Sequence, residues 1–228
     1  MIISEIFYTL QGEGRYAGHP CVFIRTSGCN LRCVWCDTPY TSWEPEGSTR
    51  SVAKISSETE VWRHVNHVVI SGGEPMMQKD MAELVDTLKA HEHFITIETA
   101  GTIFAADVQP QFYSISPKLR NSYPGTDYRK EQRIHNSNNT YDALAQFVDC
   151  GLDYQFKFVV QGEADTDEIV DLVSRFDVPP ERVYLMPEGV NESDLQARSR
   201  VIAEICKREG FNFTGRLQIY LWGNTRGT

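Results

Sequence analysis

Three cysteines lie within one short segment, residues 28–37. Three residues separate Cys29 from Cys33 and two separate Cys33 from Cys36, a spacing that lets one loop direct three thiolates at a cuboidal iron–sulfur cluster. A [4Fe–4S] cluster takes four ligands, and no fourth cysteine is nearby in the sequence. One iron would then be open to an exogenous ligand, which distinguishes a reactive metal centre from a structural one. We therefore predict a reactive [4Fe–4S] centre on these cysteines.

A structural zinc site is the alternative interpretation of the same cysteines. Such a site takes a fourth protein ligand, usually Cys or His. His19 is the nearest histidine in the sequence, and its spacing from the cysteines matches no common zinc finger. Trp35 directly before the last cysteine, and a predicted strand before the loop, favour the cluster.

A second segment, 71–75, has the composition of a ligand-binding loop. It reads Ser71-Gly72-Gly73-Glu74-Pro75 and follows a predicted strand. Two glycines allow the backbone at a strand end to approach a ligand closely. Carbonyl and carboxylate oxygens accept hydrogen bonds from an ammonium group. Alone the segment could be a simple turn, but next to a cysteine loop it indicates a binding site.

The elements that must position these loops alternate between strands and helices. Runs rich in β-branched and aromatic residues predict strands at 2–8, 21–26, 67–71, 94–98, 112–116, 155–160, 182–186 and 217–221. Apolar spacing and capping signals predict helices at 57–64, 81–88, 165–176 and 195–207. Segments 39–56 and 119–140 are predicted loops.

This alternation predicts an α/β fold, an incomplete (β/α) barrel of about six βα units with parallel strands, in a single domain covering residues 1–228. Polar segments follow four of the predicted strands, at the cysteine loop, at 72–75, at 99–101 and at 117–118. The C-terminal ends of parallel strands share one edge of a sheet, where such folds place their active sites. We therefore expect these segments to form one site.

Composition and charge restrict the partners. The chain has 228 residues and a formal net charge of −9, so it lacks the basic excess that a broad nucleic-acid or anionic-membrane surface needs. No apolar run is long enough to span a bilayer, and the N-terminus has no basic segment typical of a signal peptide. We predict a cytoplasmic protein that binds neither nucleic acid nor membrane. The remaining cysteines, Cys21, Cys150 and Cys206, are expected to be structural thiols.

Several segments along the chain resemble those of the 7-carboxy-7-deazaguanine synthase family of the radical S-adenosylmethionine (SAM) superfamily. They are 10–14 (LQGEG), 23–29 (FIRTSGC), 35–38 (WCDT), 71–75 (SGGEP), 116–118 (SPK) and 221–227 (LWGNTRG). The resemblance covers essentially the whole chain. It is most specific in the LQGEG segment, the cysteine loop and the C-terminal segment.

The resemblance implies an activity. In this family SAM chelates the open iron, and the reduced cluster cleaves it to a 5′-deoxyadenosyl radical. Its members are carbon–nitrogen lyases that contract the ring of 6-carboxy-5,6,7,8-tetrahydropterin to 7-carboxy-7-deazaguanine with loss of ammonia. The product is used in the biosynthesis of queuosine and other 7-deazapurines. The family uses SAM catalytically with the help of Mg²⁺. The resemblance also implies a homodimer and an external electron donor.

The same resemblance implies roles for individual residues. The predicted substrate contacts are Leu10, Gln11, Gly12, Arg25, Ser71 and Thr228. The predicted SAM contacts are Trp35, Cys36, Asp37, Gly73, Glu74, Glu98, Ser116, Pro117 and Lys118. The predicted Mg²⁺ ligand is Thr38.

The chemistry of three of these side chains can be weighed directly. The planar guanidinium of Arg25 suits a carboxylate, although a charge at a strand end could simply face solvent. The Thr38 hydroxyl suits Mg²⁺, although a residue before Pro39 could be only part of a turn. Lys118 could equally be a solvated loop lysine.

Two other functions stay open at the level of sequence. A radical SAM activase that acts on a partner protein would carry the same cysteine loop, but it would need an exposed docking face. A zinc-bound interaction module without catalysis would need only the cysteines. Metal content and visible charge-transfer absorption distinguish the zinc module from the two enzymes.

Overall fold

One sheet carries the fold in the computed structural model, which describes residues 1–125 and 138–228. Within these residues the sheet has nine strands in the order β3-β1-β2-β4-β5-β6-β7-β8-β9. The strands are β1 (Ile2–Leu10), β2 (Pro20–Thr26), β3 (Ser48–Thr49), β4 (His67–Gly72), β5 (Phe94–Thr99), β6 (Phe112–Ile115), β7 (Asp153–Val160), β8 (Val183–Pro187) and β9 (Asn212–Phe213). Seven of the eight predicted strands are confirmed, each boundary within two residues.

The strands from β2 onward, except β3, are parallel, as predicted. Strand β1 is antiparallel to both β2 and β3. It pairs with β2 in this way because the short segment between them turns the chain directly back. The sheet runs from β3 to β9 without closing on itself. The predicted α/β fold with an incomplete barrel is therefore confirmed.

Helices connect most of the parallel strands. The α-helices of the described residues are α1 (Pro39–Ser42), α2 (Val52–Thr59), α3 (Met81–Ala90), α4 (Asn138–Asp149), α5 (Thr166–Arg175), α6 (Glu192–Glu209) and α7 (Leu217–Trp222). The described segment 100–111 links β5 to β6 without a helix. None of the described helices combines the length and apolar character needed to cross a membrane.

The predicted helices at 81–88, 165–176 and 195–207 are confirmed as α3, α5 and α6. The helix predicted at 57–64 is confirmed in part: residues 57–59 belong to α2 and a 3-10 turn covers Glu60–Trp62, but the chain becomes helical earlier than predicted, at Val52. Ser51 caps that helix by accepting a hydrogen bond from the backbone N–H of Lys54, at 3.2 Å. The predicted loop at 39–56 therefore contains α1, β3 and the first five residues of α2. The predicted loop at 119–140 lies partly outside the described residues.

The strand predicted at 217–221 is also wrong, since Leu217–Trp222 is helix α7. A short apolar run has no periodicity that separates a strand from a helix. Packing decided its form: the backbone N–H of Leu217 donates to the carbonyl of Gly12 at 2.9 Å, and Ile219 is buried. The C-terminal segment therefore folds back over the sheet instead of extending it.

Alternation along the strands gives the sheet two different faces. On one face Ile70, Ile97, Ile115 and Phe158 belong to the main apolar core. The residues that alternate with them along each strand project to the opposite, inner face, and several of these have polar side chains. These are Ser71 of β4, Glu98 of β5, Ser114 of β6, and Gln155 and Lys157 of β7. A polar surface is thus built inside the curve of the sheet.

Candidate active site

A cavity of about 420 Å³ lies within the curve of the sheet and extends to the C-terminal ends of its parallel strands. It brings together nearly all of the residues predicted from the sequence. These are Leu10, Gln11, Gly12, Arg25, Cys29, Cys33, Trp35, Cys36, Asp37, Thr38, Ser71, Gly73, Glu98, Ser116, Lys118 and Thr228. Of the predicted site residues, only Glu74 and Pro117 are absent from its walls. Residues as distant in the sequence as Leu10 and Thr228 therefore share one site.

The three loop cysteines line this cavity as free thiols. Leu31 and Ala100 pack beside them and make their surroundings largely apolar. Burial raises the pKa of Cys29 to about 12 and the pKa of Cys33 to about 11. These thiols therefore need a metal cation to become thiolates, and a shielded set of three fits an iron–sulfur cluster. Within residues 1–125 and 138–228, no three His, Cys, Asp or Glu side chains converge on a single-ion site.

Backbone contacts fix the position of the cysteine loop. The N–H of Gly28 donates to the carbonyl of Thr41 at 2.8 Å, and the carbonyl of Gly28 accepts from the N–H of Glu74 at 2.9 Å. Further along the loop, the indole of Trp43 donates to the carbonyl of Cys33 at 3.0 Å. The loop is thus held between α1 and the glycine segment that follows β4.

Glu74 has a structural role that the sequence did not indicate. Its fully buried carboxylate accepts hydrogen bonds from the Thr99 hydroxyl at 2.7 Å and from the backbone N–H groups of Ala100 and Met76 at 2.8 and 3.0 Å. Burial raises the pKa of this carboxyl, although these donors oppose the shift. The side chain therefore ties the glycine segment to the end of β5, and only the backbone of Glu74 stays a predicted contact for SAM.

Pro117 is buried outside the cavity walls, between two residues that do line them. Lys118 donates to the backbone carbonyl of Ser116 at 2.8 Å and to its hydroxyl at 2.7 Å. Burial lowers the pKa of Lys118, while the thiols of Cys33 and Cys29 oppose the shift. The alternative of a solvated loop lysine is therefore wrong, and Lys118 places its amino group close to the cysteines.

The inner wall of the cavity is a connected set of polar groups. Glu98 accepts hydrogen bonds from the side-chain amide of Gln11 at 3.1 Å and from the hydroxyl of Ser71 at 2.7 Å. The ammonium group of Lys157 lies 3.8 Å from the same carboxylate. This wall therefore offers both donors and acceptors to a bound molecule.

Arg25 lies at the cavity wall and is already paired. Its Nε donates to Glu5 at 2.7 Å, and its guanidinium lies over the stacked rings of Phe7 and Phe23, 5.4 and 5.8 Å from their centroids. Only 15 % of the side chain is exposed, so the alternative of a solvent-facing charge is wrong. The fixed guanidinium is available for an anionic group in the cavity.

Thr38 lines the cavity at the start of α1, where it occupies the N-cap position without making a side-chain cap. Its hydroxyl accepts a hydrogen bond from Thr41 at 3.3 Å and lies 3.9 Å from the Cys36 sulfur. The residue is therefore both part of the turn and a cavity oxygen. Its predicted role as a Mg²⁺ ligand stays a prediction.

A buried ionic network in the wall of the cavity is the feature that sequence reasoning missed. Glu13 accepts from Lys157 at 2.5 Å, from Nε of Arg216 at 3.1 Å and from the Gln218 amide at 2.8 Å. Burial alone would raise the pKa of Glu13, but Lys157 and Arg216 together hold it well below its ordinary value of 4.5. Arg216 also pairs with Asp37. The network thus joins the segment after β1, which carries Glu13, to the cysteine loop, which carries Asp37, and to the C-terminal segment, which carries Arg216.

One signal for this network was present in the sequence. Lys157 lies between Phe156 and Phe158 in a strand, and a buried charge requires a partner. Gly12 shows how closely the segments pack, since a Cβ atom there would overlap the side chain of Gln218. No local pattern identified Arg216 as the second cation.

Comparisons with known proteins decide what this site belongs to. Residues 23–176 match the family model of the radical SAM superfamily. A 7-carboxy-7-deazaguanine synthase of Halobacterium salinarum is 40% identical over 237 residues, with 99% of this chain and 92% of that protein covered. The one from Rhodopirellula baltica is 37% identical over 230 residues, with 100% and 89% covered. This chain belongs to the 7-carboxy-7-deazaguanine synthase family.

The solved structures agree with this assignment at the level of the fold. The crystal structure of QueE from Escherichia coli matches with a TM-score of 0.65 at 23% identity, covering 95% of this chain and 93% of that one. The match to the superfamily model and the full-length relatives make the chain a radical SAM enzyme. This membership favours the iron–sulfur interpretation of Cys29, Cys33 and Cys36 over the zinc interpretation.

Gly73 gives a direct test of how the family's glycine segment supports the cysteine loop. A Cβ atom there would overlap the backbone carbonyl of Gly28 and lie 2.7 Å from the carbonyl of Thr41. Backbone cannot yield as a flexible side chain can, so Gly73→Ala should displace the loop. A displacement of about 1 Å lowers turnover by about 100-fold, which anaerobic kinetics would measure.

Gly162→Ala is the matched control for this substitution. A Cβ atom at Gly162 meets nothing within 4 Å, and the backbone there is extended. Turnover of the control should equal that of the wild type. Normal turnover by Gly73→Ala would contradict the close approach as a requirement.

Proposed function

We propose that this chain converts 6-carboxy-5,6,7,8-tetrahydropterin to 7-carboxy-7-deazaguanine with loss of ammonia. The observation that carries the proposal is one cavity that contains the three loop cysteines, a polar wall and a fixed guanidinium. Its volume of about 420 Å³ suits small molecules rather than a protein segment. The full-length relatives named 7-carboxy-7-deazaguanine synthase support the same conclusion.

The residues of the upper cavity fit the cofactors of the superfamily. Cys29, Cys33 and Cys36 would hold the cluster, and the backbone of Gly73 with Ser116 would bind SAM. When bound, the reduced cluster and SAM supply a 5′-deoxyadenosyl radical that abstracts hydrogen from the substrate. The apolar side chains beside the cysteines exclude water from this region, and the amino group of Lys118, which donates to Ser116, lies near it.

The residues of the lower cavity fit a carboxylated pterin. A pterin edge carries both donors and acceptors, and Gln11, Glu98 and Ser71 form a wall with both. Arg25 would bind the substrate carboxylate, since its guanidinium is already oriented by Glu5. This chain thereby contributes orientation, while the cofactors supply the reactivity.

The experiment that tests this function is anaerobic turnover. The cluster is reconstituted, reductant, SAM, Mg²⁺ and carboxytetrahydropterin are added, and products are analysed by mass spectrometry. We expect 7-carboxy-7-deazaguanine to form while SAM is not consumed. Formation of 5′-deoxyadenosine without that product would overturn the substrate assignment and leave the radical SAM class intact.

We also propose that Thr38 provides an oxygen ligand to Mg²⁺ at the substrate. Thr38→Val keeps the shape of the side chain and removes the hydroxyl, so the Mg²⁺ concentration for half-maximal turnover should rise by about tenfold. The matched control is Thr166→Val, whose buried hydroxyl has no hydrogen-bond partner in the described part of the chain and lies outside the cavity. An unchanged Mg²⁺ dependence in Thr38→Val would refute the ligand role.

Three further parts of the proposal come from the family resemblance and the composition. They are a cytoplasmic location, an external electron donor and assembly as a homodimer. Light scattering coupled to size-exclusion chromatography tests the assembly, with twice the mass of 26.0 kDa expected. A monomeric mass would refute it.

A further inference from the structure

The segment 11–19, between β1 and β2, crosses the base of the barrel. Within this segment, the ring of Tyr16 makes edge contacts with the rings of His67, Phe94 and Phe112, whose centroids are 5.2, 5.4 and 5.0 Å away. These three residues are the first residues of β4, β5 and β6. Tyr16 therefore sits across the N-terminal ends of three neighbouring parallel strands, opposite to the edge that carries the cysteines.

The far side of the same segment is attached to the last strands. The backbone N–H of Gly14 donates to the hydroxyl of Thr214 at 2.8 Å. The N–H of Arg15 donates to the amide of Gln155 at 2.9 Å, and its guanidinium lies 4.8 Å from the centroid of Phe112. The segment is thus fixed along the base of the barrel, from the start of β4 to Thr214, which directly follows β9.

The start of the segment is the floor of the cavity. Gln11, Gly12 and Glu13 line the cavity, only three to five positions before Tyr16. The segment is closed on itself, because the N–H of Gln11 donates to the carbonyl of His19 at 2.8 Å and the N–H of Gly18 donates to the carbonyl of Gln11 at 2.7 Å. A displacement of Tyr16 along the barrel axis would therefore also displace the Gln11 side chain.

We propose that Tyr16 is a positioning residue. Its ring closes the base of the barrel and fixes how far Gln11 and Glu13 reach along the barrel axis into the substrate site. The proposal rests on the proposed pterin chemistry and extends it to a residue that does not line the cavity. Edge contacts between aromatic rings are directional, so three of them define one position of the ring. The part of the chain that the structure describes offers the Tyr16 hydroxyl no hydrogen bond, which assigns the role to the ring.

The test compares Tyr16→Ala with Tyr16→Phe in the cluster-loaded enzyme. Tyr16→Ala should raise the KM for carboxytetrahydropterin by about tenfold and leave the KM for SAM unchanged. It should also increase the ratio of 5′-deoxyadenosine to 7-carboxy-7-deazaguanine, because a misplaced substrate is not attacked. Tyr16→Phe keeps the ring and should behave as the wild type. Iron content should be equal in all of them.

Tyr8→Ala is the matched control, since Tyr8 makes a similar edge contact with His64, 6.0 Å between centroids, outside the cavity. Its KM values should be those of the wild type. Tyr16→Leu keeps apolar bulk and replaces Tyr16→Ala if the latter does not fold. An unchanged KM and product ratio in the folded Ala or Leu variant, or an equal loss in Tyr16→Phe, would overturn the proposal.

Hydrogen–deuterium exchange separates this proposal from the proposed function. The backbone amide of Gln11 should exchange faster in Tyr16→Ala than in the wild type, because its partner His19 lies on the same segment. This readout requires no substrate. If the wild type forms no 7-carboxy-7-deazaguanine, the substrate assignment fails. If Gln11 exchange is unchanged, the positioning role fails.

Discussion

Replacing Cys33 with Ala is expected to abolish formation of 7-carboxy-7-deazaguanine. Cys33 is the middle of the three thiols at the cavity and is the most buried of them. With two thiolates left, a cluster that already has one open iron loses a second ligand. Iron content after anaerobic reconstitution should fall from about four per chain towards zero, and the charge-transfer absorption should disappear.

Cys150→Ala is the matched control. Its thiol is half-buried, outside the cavity, and donates to the carbonyl of Phe147 at 3.1 Å. Iron content and turnover should match those of the wild type. Retention of a full cluster and turnover by Cys33→Ala would contradict the three-cysteine site.

The second large effect is expected from Glu13→Gln, which should lower the free energy of unfolding by about 3 kcal/mol at pH 7. The carboxylate is the shared partner of Lys157 and Arg216, both of which are buried. Without it, the described residues leave Lys157 with Glu98 at 3.8 Å and Arg216 with Asp37. Buried cations that lose their partner carry an uncompensated desolvation cost. Urea unfolding of both proteins, prepared without cluster, measures the difference.

The effect of Glu13→Gln should depend on pH in a defined direction. In the folded protein the pKa of Glu13 lies below its ordinary value of 4.5, so ionised Glu13 stabilises the fold. This contribution is fully present above about pH 4.5 and is lost as the pH falls through the folded pKa. The difference in unfolding free energy between wild type and variant should therefore narrow at pH 4 relative to pH 7.

Glu58→Gln serves as the control for charge removal. Glu58 pairs with Arg50 and Lys54, but 28% of its side chain is exposed, and exposed pairs contribute less than about 1 kcal/mol. A loss in Glu13→Gln as small as the loss in Glu58→Gln would show that the buried network is not an ionic support of the cavity.

The sequence alone predicted the cluster site on the cysteines and most of the fold. The spacing of Cys29, Cys33 and Cys36 is a local property, since one loop carries all three. Seven strands followed from apolar runs, because alternation and β-branching act within a few residues. Parallel strands then required that segments after successive strands share one edge, and residues of four such segments line the cavity.

Only the tertiary structure decided the remaining elements. Ser51 and Ser57 are both able to cap a helix, and burial of Val52 and Ile55 selected the earlier start. The run Leu217–Trp222 became a helix because it packs against Gly12 over the cavity. In each case the local sequence allowed two forms, and contacts with distant residues selected one.

The ionic network shows the same limit most clearly. Glu13 and Arg216 are 203 positions apart, and neither lies in a pattern that predicts the other. Tyr16 likewise gave no sign in the sequence that its ring would meet the first residues of three strands. Sequence periodicity reports which face a residue occupies. Which charges and rings meet across the barrel depends on how the whole sheet curves, and that is a property of the folded chain.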